Sequence, residues 1–306
     1  MWERRRRRHP GRPGSDDPGG GRGDRRPRLV RSGRPRPGDR RAVLAVLVNG
    51  NAVVADRLVL GHGDVVAISA SSFVIPAGAV TAVIGPNGSG KTTLLSAIAG
   101  LAEPMSGTLQ VPCRRQGCER IAYVFQSTKV NESLPISVRE VVAMGRYFGG
   151  RYRRLTGADQ RAIDDAMERT GITGISGRHL HDLSGGQRQR VFVAQGLAQE
   201  HELLLLDEPL TGIDLPTAHA IDAVIHDERS RGCTIVLTTH DLSEARVADH
   251  VLLLGGRVVA SGPPEEVLVP ANLAAAYGSA LLHLESGEVL FDDPAHRVSV
   301  TGPEEN

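Results

Sequence analysis

The sequence predicts an α/β fold with a mainly parallel sheet, an antiparallel β subdomain and a helical insertion. Three observations support this prediction. Short β-branched runs fill residues 43–84, apolar strand candidates alternate with helical periods after residue 90, and the stretch from Ser127 to Asp182 is helix-rich without an obvious strand. Alternating strands and helices are typical of parallel sheets covered by helices, whereas short runs separated by turn residues favour antiparallel pairing.

The individual elements follow from local patterns. Runs separated by Gly- and Pro-containing turns predict β-structure at Val43–Val48, Ala52–Leu60, Val65–Ile68, Phe73–Ile75 and Val80–Ile84. Later apolar runs predict strands at Ile121–Phe125, Leu203–Leu206, Thr234–Leu237 and Val251–Leu254. Apolar residues with helical spacing predict helices at Thr92–Leu101, Val138–Arg146, Gly157–Arg169, Gln187–Ala198 and Pro216–Arg229.

Charge divides the 306 residues into two regions. The whole chain has 36 Lys and Arg against 35 Asp and Glu, but residues 1–41 contain 15 Arg against five acidic residues. The remaining part is therefore acidic, which disfavours nucleic-acid binding. Residues 1–42 form a predicted disordered Arg/Gly/Pro-rich tail, since they have too few apolar residues to offset the entropy of ordering. Two interpretations stay open: an untranslated upstream extension, or a basic tail that contacts anionic lipid or RNA.

Targeting and cysteine content favour the cytosol. No apolar run reaches the ~18 residues of a membrane span, and the basic start lacks the apolar segment of a secretory signal. The three cysteines, Cys113, Cys118 and Cys233, form no evident disulfide framework. Cys113 and Cys118 lack a second ligand pair, as do His179 and His181, so neither pair predicts a zinc site.

A phosphate-binding loop is predicted where a strand meets a helix. The segment Gly85-Pro86-Asn87-Gly88-Ser89-Gly90-Lys91-Thr92 fits G-x-x-x-x-G-K-[ST], which indicates a P-loop NTPase core. Its backbone N–H groups would surround phosphate oxygens, Lys91 would reach the β- and γ-phosphates, and the Thr92 hydroxyl would bind Mg²⁺. Thr93, next in the helix, is included among the binding residues.

Two carboxylates end the apolar run Leu203–Leu206. The carboxyl ends of buried parallel strands form the ligand site of open α/β sheets, so Asp207 and Glu208 are expected beside the phosphate loop. Asp207 would hold Mg²⁺ through water, and Glu208 would polarise the attacking water.

Residues 45–285 resemble the nucleotide-binding subunits of ATP-binding cassette (ABC) transporters. Leu183-Ser184-Gly185-Gly186-Gln187 matches the signature of that family completely. By resemblance, Ser184, Gly185, Gly186 and Gln187 contact the ATP of the opposite protomer. The resemblance also makes 43–285 an ABC ATPase domain, with a helical subdomain at about 127–184 and a C-terminal tail at 286–306.

The resemblance assigns four further residues. Gln126 would contact Mg²⁺ or the lytic water, His240 would lie near the γ-phosphate, and Asp214 would support the contact between protomers. Thr211 stands where the family often has Ser. His62 is the best counterpart of the aromatic residue that stacks on adenine, and an ordinary turn residue is the alternative interpretation there.

The resemblance further implies an ATPase that works at the cytoplasmic face of the membrane. Two Mg-ATP molecules would lie between two copies, and residues 134–139 would contact integral membrane permease subunits, with an extracytoplasmic metal-binding protein as an indirect partner. Residues 142–147, 208–214 and 261–268 look most like zinc or manganese importers. The alternatives are an iron-siderophore or cobalamin importer, and a soluble ABC ATPase without a transport role.

Overall fold

The computed structural model describes residues 50–114, 120–125, 135–147, 154–278, 281–283 and 289–291. The predicted N-terminal tail, the predicted strand Val43–Val48 and Gln126 lie outside these residues. The strands are, in chain order, β1 (Asn51–His62), β2 (Val65–Pro76), β3 (Val80–Ile84), β4 (Ser106–Gln110), β5 (Ile121–Val124), β6 (Leu203–Leu206), β7 (Thr234–Thr239), β8 (His250–Leu254), β9 (Val258–Gly262), β10 (Leu281–His283) and β11 (Val289–Phe291). The α-helices are α1 (Lys91–Ala99), α2 (Val138–Met144), α3 (Gly157–Arg169), α4 (Gly185–Leu197), α5 (Leu215–Ser230), α6 (Leu242–Arg246), α7 (Pro264–Val267) and α8 (Pro270–Tyr277).

The larger sheet has six strands in the order β5-β6-β7-β3-β8-β9. Neighbouring strands from β5 to β8 are parallel, and only β9 runs antiparallel, along β8 at the edge. The inner strands β3, β6 and β7 are fully buried, and their residues are aliphatic or threonine, because helices or a second sheet cover both faces. The predicted mainly parallel sheet is confirmed.

The smaller sheet is antiparallel, with the order β2-β1-β4. The predicted runs Val65–Ile68 and Phe73–Ile75 belong to one strand, β2, because β1 pairs with it along almost its whole length through several register shifts. The strand β4 is not among the predicted strands. Its residues Ser106–Gln110 carry no apolar run and are largely exposed, so only the backbone pairing with β1 defines this strand.

The six-stranded sheet separates two apolar cores. Alternate residues of its strands point to opposite faces. One face packs against α1 and the antiparallel sheet, through side chains such as Val83, Leu205 and Val236. The opposite face packs against the other helices, including the helical insertion, through side chains such as Leu204 and Leu206.

The helical insertion is built on capped helices. Ser137 and Thr156 each begin a helix, α2 and α3 respectively, with a reciprocal capping box. Both helices pack on α4. The buried Arg146 side chain pairs with Asp159 at 2.9 Å and donates to the Ala198 carbonyl, which ties the insertion to the end of α4. In the described part of the chain, no helix combines the length and apolar character needed to cross a membrane.

Candidate functional site

The predicted phosphate-site segments meet at one edge of the six-stranded sheet. Gly85 follows β3, Asp207 follows β6 and His240 follows β7. The parallel register pairs Leu237 with both Ala82 and Leu206, so the three strands end at nearly the same level. The carboxyl ends of parallel strands are therefore brought together, as the sequence analysis predicts.

The loop between β3 and α1 needs glycine at two close approaches. Gly90 has a φ of 98°, and a Cβ there would lie 2.5 Å from Cγ1 of Ile68. A Cβ on Gly85 would lie 2.3 Å from the carbonyl oxygen of Leu254. No side chain caps α1 and no acidic residue lies in its first turn. The structure describes every residue of this helix. Its N-terminus, the positive end of the helix dipole, can therefore bind an anion.

Lys91 is buried inside this loop, with only 6% of its surface exposed. Its ammonium group donates to the carbonyl oxygens of Gly85 at 2.9 Å and Pro86 at 3.4 Å. Glu208 lies 3.9 Å away as a counter-ion. The lysine is therefore held in the loop, next to the carboxylate that follows β6.

Asp207 is held by two hydroxyl groups on neighbouring strands. The Thr238 hydroxyl donates to its Oδ1 at 2.6 Å, and the Tyr123 hydroxyl approaches its Oδ2 at 3.5 Å. Burial, together with the charge of Asp207, raises the pKa of Tyr123 to about 12, so the tyrosine remains a donor. Neither Thr238 nor Tyr123 is among the predicted site residues, because a hydroxyl on a buried strand carries no signal until the strands are paired.

Glu208 has a left-handed backbone conformation, with a φ of 46°. This conformation is uncommon for residues other than glycine, and it marks sites where the surroundings determine the backbone. Its N–H donates to the Thr238 hydroxyl at 2.8 Å. One threonine therefore supports both carboxylate residues, Asp207 through the side chain and Glu208 through the backbone.

His240 and His62 are both exposed. His240 stands directly after β7, and the next residue, Asp241, caps α6. His62 ends β1 at the turn before β2. Their predicted roles at the γ-phosphate and the adenine remain predictions.

The signature segment opens α4. Ser184 caps this helix through a reciprocal capping box with Gln187, so the helix begins at Gly185, two residues before the predicted start. A Cβ on Gly186 would lie 2.8 Å from the Thr217 hydroxyl in the first turn of α5. Asp214 caps α5, and hydrogen bonds from Thr217 lower the pKa of Asp214. The N-termini of α4 and α5 therefore lie side by side.

The residues present fit a magnesium nucleotide. The Ser89 hydroxyl is buried in the phosphate loop and has no hydrogen-bond partner in the structure. A buried polar atom of this kind needs a partner, which a phosphate oxygen can supply. Asp207 offers a buried carboxylate of the type that holds Mg²⁺.

Comparisons with known proteins agree with this geometry. The sequence model of the family described as ABC transporter matches residues 68–211. The YfeB protein of a chelated iron transport system in Yersinia pestis is 38% identical over 257 residues, which cover 81% of this chain and 86% of YfeB. The chain belongs to the ABC transporter ATP-binding family.

Other relatives of this ABC ATPase are named for manganese. The MntA ATP-binding protein of a manganese transport system in Synechocystis is 37% identical over 214 residues, 68% of this chain and 82% of MntA. Among solved structures, a metal-chelate type ABC transporter in an inward-facing conformation aligns with a TM-score of 0.65 and 26% identity, over 78% of this chain and 95% of that one. The chain is thus an ATPase of the P-loop α/β fold that binds a nucleotide.

Proposed function

We propose that this ATPase energises the import of a transition-metal ion, manganese or zinc. The observation that carries the proposal is the high similarity to ATP-binding proteins of manganese transport systems, at 36–37% identity over most of their length. Chelated iron is the second candidate, because the YfeB relative matches a larger share of this chain. A soluble role without transport finds no support among these relatives.

The phosphate loop would grip the nucleotide. Backbone N–H groups of residues 87–93 would surround the phosphates, and Lys91 would exchange its loop carbonyl partners for phosphate oxygens. Thr92 and Asp207 would hold Mg²⁺, together with Gln126, which lies outside the described residues. The ion, when bound, neutralises charge on the phosphates.

Glu208 is the proposed general base. Its carboxylate would accept a proton from the water that attacks the γ-phosphorus, while His240 contacts the γ-phosphate. The left-handed backbone and the hydrogen bond to Thr238 hold Glu208 beside Lys91. Such fixed placement supports catalysis, since a misplaced base loses much of its rate.

A second copy would complete the site. The helix start is exposed at Ser184 and Gly185 and half-buried at Gly186, and it would offer N–H groups to the γ-phosphate of the partner's nucleotide, with Gln187 behind it. Asp214 lies beside this helix start and is expected at the contact between copies. ATP binding would therefore bring two copies together, and hydrolysis would release them.

The permease contact is proposed beside Phe125. Phe125, Met144 and Tyr147 are large exposed side chains, and a cavity of about 290 Å³ lined by Tyr123, Phe125, Phe192 and Gln195 opens there. The sequence analysis expects the contact at residues 134–139, of which Pro135–Arg139 is described and Leu134 is not. The subunit would thus sit on a permease at the cytoplasmic face, with an extracytoplasmic binding protein as an indirect partner.

Two experiments test the proposal. Glu208→Gln should slow ATP hydrolysis by ~10²–10⁴-fold and form a dimer in sedimentation with Mg-ATP, whereas Glu265→Gln, at an exposed position, should behave as wild type. A persistent monomer at saturating Mg-ATP would contradict the two-copy site.

The transported ion is tested by uptake measurements. Uptake of manganese, zinc and iron should be compared after gene deletion and after complementation with wild type or Glu208→Gln. Unchanged manganese and zinc uptake would reject the proposed cargo.

A further inference from the structure

A buried cluster of His201, Glu228 and Cys233, here called the His-Glu-Cys cluster, lies at the sheet edge opposite the nucleotide site. His201 precedes β6 and Cys233 precedes β7, whereas Asp207 and His240 follow those strands. Glu228 comes from the last turn of α5. One ligand atom from each of the three cluster residues lies within 4.8 Å of the other two. The side chains of His201 and Glu228 are only 5% and 7% exposed.

The hydrogen bonds of His201 orient its ring for binding a cation. Nδ1 lies 2.9 Å from the carbonyl oxygen of Gln199, and a carbonyl only accepts, so Nδ1 carries a hydrogen. The neutral ring then presents a lone pair at Nε2. This nitrogen faces Oε2 of Glu228 at 3.0 Å, which is a second acceptor. Two buried acceptors this close need a proton or a cation between them.

We propose that His201 Nε2, Glu228 Oε2 and Cys233 Sγ bind a zinc ion. Imidazole, carboxylate and thiolate are the ligand set that zinc takes in proteins, whereas the thiol disfavours magnesium and manganese. A proton between His201 and Glu228 would satisfy those two atoms without a third ligand. Cys233 offers a third ligand, because its Sγ lies within 4.8 Å of both atoms and its thiol makes only a 3.4 Å hydrogen bond to the Thr234 carbonyl, which favours the metal.

Outer contacts already hold the ligands in place. The Gln199 carbonyl holds His201, and Arg169 of α3 pairs with the other carboxylate oxygen of Glu228 and with Asp227. Such outer-shell partners orient the ligands of zinc sites. The three ligands leave a fourth position for water.

The charge balance of the His-Glu-Cys cluster and its access to solvent are also compatible with a divalent ion. Zinc with one thiolate and one carboxylate is neutral, and Arg169 is balanced by Asp227. Zinc binds the thiolate, so the thiol proton of Cys233 would leave to solvent as the Zn–S bond forms. Glu202 and Gly232, each one residue from a ligand, are exposed, so an ion could reach the cluster from solvent beside them. The bound ion would link the starts of β6 and β7 to α5 and, through Arg169, to α3.

Metal titration of the purified full-length chain tests this inference independently of transport. After treatment with a chelator, Co²⁺ should bind in a single equivalent with a thiolate-to-cobalt charge-transfer band, and Zn²⁺ should displace it. Cys233→Ser should abolish the band. His201→Gln should weaken zinc binding by more than the ~10–100-fold that loss of an outer-shell partner costs.

Matched controls are Cys113→Ser and His226→Gln, which remove another thiol and one of the two exposed histidines of α5. Both should bind zinc as wild type does, and zinc should raise the melting temperature of wild type and of both controls but not of Cys233→Ser. Absence of the band in wild type, which requires no variant, would overturn the inference. A band that survives Cys233→Ser, or zinc binding unchanged in His201→Gln, would also overturn it and leave a proton between His201 and Glu228.

Discussion

Replacing Thr238 by valine tests whether one hydroxyl holds the two carboxylate residues of the nucleotide site. Thr238 is fully buried, donates to Asp207 and accepts from the N–H of Glu208. Valine has nearly the same shape but makes neither bond. We expect both a loss of stability and a loss of ATPase activity, because the substitution leaves a buried carboxylate and a backbone N–H with fewer partners.

The magnitude follows from these two bonds. A hydrogen bond to a charged group contributes ~1.5–3 kcal/mol, and an unpaired buried N–H costs ~1–3 kcal/mol. Both contributions come from the same hydroxyl, so they should not add fully. We expect the free energy of unfolding to fall by about 3 kcal/mol, which lowers the Tm of a domain of this size by ~6–12 °C. Misplacement of Glu208 should lower kcat by roughly 10²-fold.

Thr234→Val is the matched control on the same strand. Thr234 is also buried, but its hydroxyl accepts from the N–H of Gly78 at the other end of β7. This control should lose about 1 kcal/mol and keep its kcat. Thermal unfolding and steady-state hydrolysis, measured well below both melting temperatures, separate the two effects. If Thr238→Val keeps wild-type kcat, or Thr234→Val loses as much, Thr238 does not position the carboxylates.

Three other perturbations give clear expectations. Gly90→Ala should abolish ATP binding in a nucleotide titration, because a Cβ at this position would clash with Ile68. The control Gly88→Ala has open space around its Cβ, so only the strain of its φ of 79° should weaken ATP binding. Equal affinities of the two variants for ATP would contradict this expectation. Asp214→Ala should lower the melting temperature because it removes a helix cap, and Asp214→Asn should restore the melting temperature. In metal-free protein, burial alone would raise the pKa of Glu228, but His201 and Arg169 lower it from 4.5 to about 2. The carboxylate therefore stabilises the fold above about pH 4.5, and circular dichroism should show this stability lost towards pH 2; an equal slope in Glu228→Gln would refute it.

Local patterns predicted the elements whose ends are marked in the sequence. The strand Leu203–Leu206 and the helix Gly157–Arg169 have the predicted bounds, since one is a purely apolar run and the other starts at a capping box. The predicted helix Thr92–Leu101 ends earlier, at Ala99, because Gly100 takes a φ of 82° and caps it.

Local sequence patterns could not predict the edge strands or the tertiary contacts. The strands β4 and β9 pair through the backbone at sheet edges, where no apolar run is required. The bonds of Thr238 and the backbone conformation of Glu208 depend on the pairing of β6 with β7. The motif around residues 203–208 predicted that two carboxylates follow β6, but the hydroxyl that supports them becomes visible only in three dimensions.

The existing partners of Lys91 in the phosphate loop affect which nucleotide can bind there. Its ammonium already has two carbonyl oxygens at hydrogen-bonding distance and a carboxylate nearby, so an incoming ligand must outcompete groups of the chain itself. A single terminal phosphate replaces these partners at little gain, whereas a triphosphate brings several oxygens to the lysine and the helix end at once. Selection for ATP over AMP would then arise at the phosphate end, whatever His62 contributes at the base.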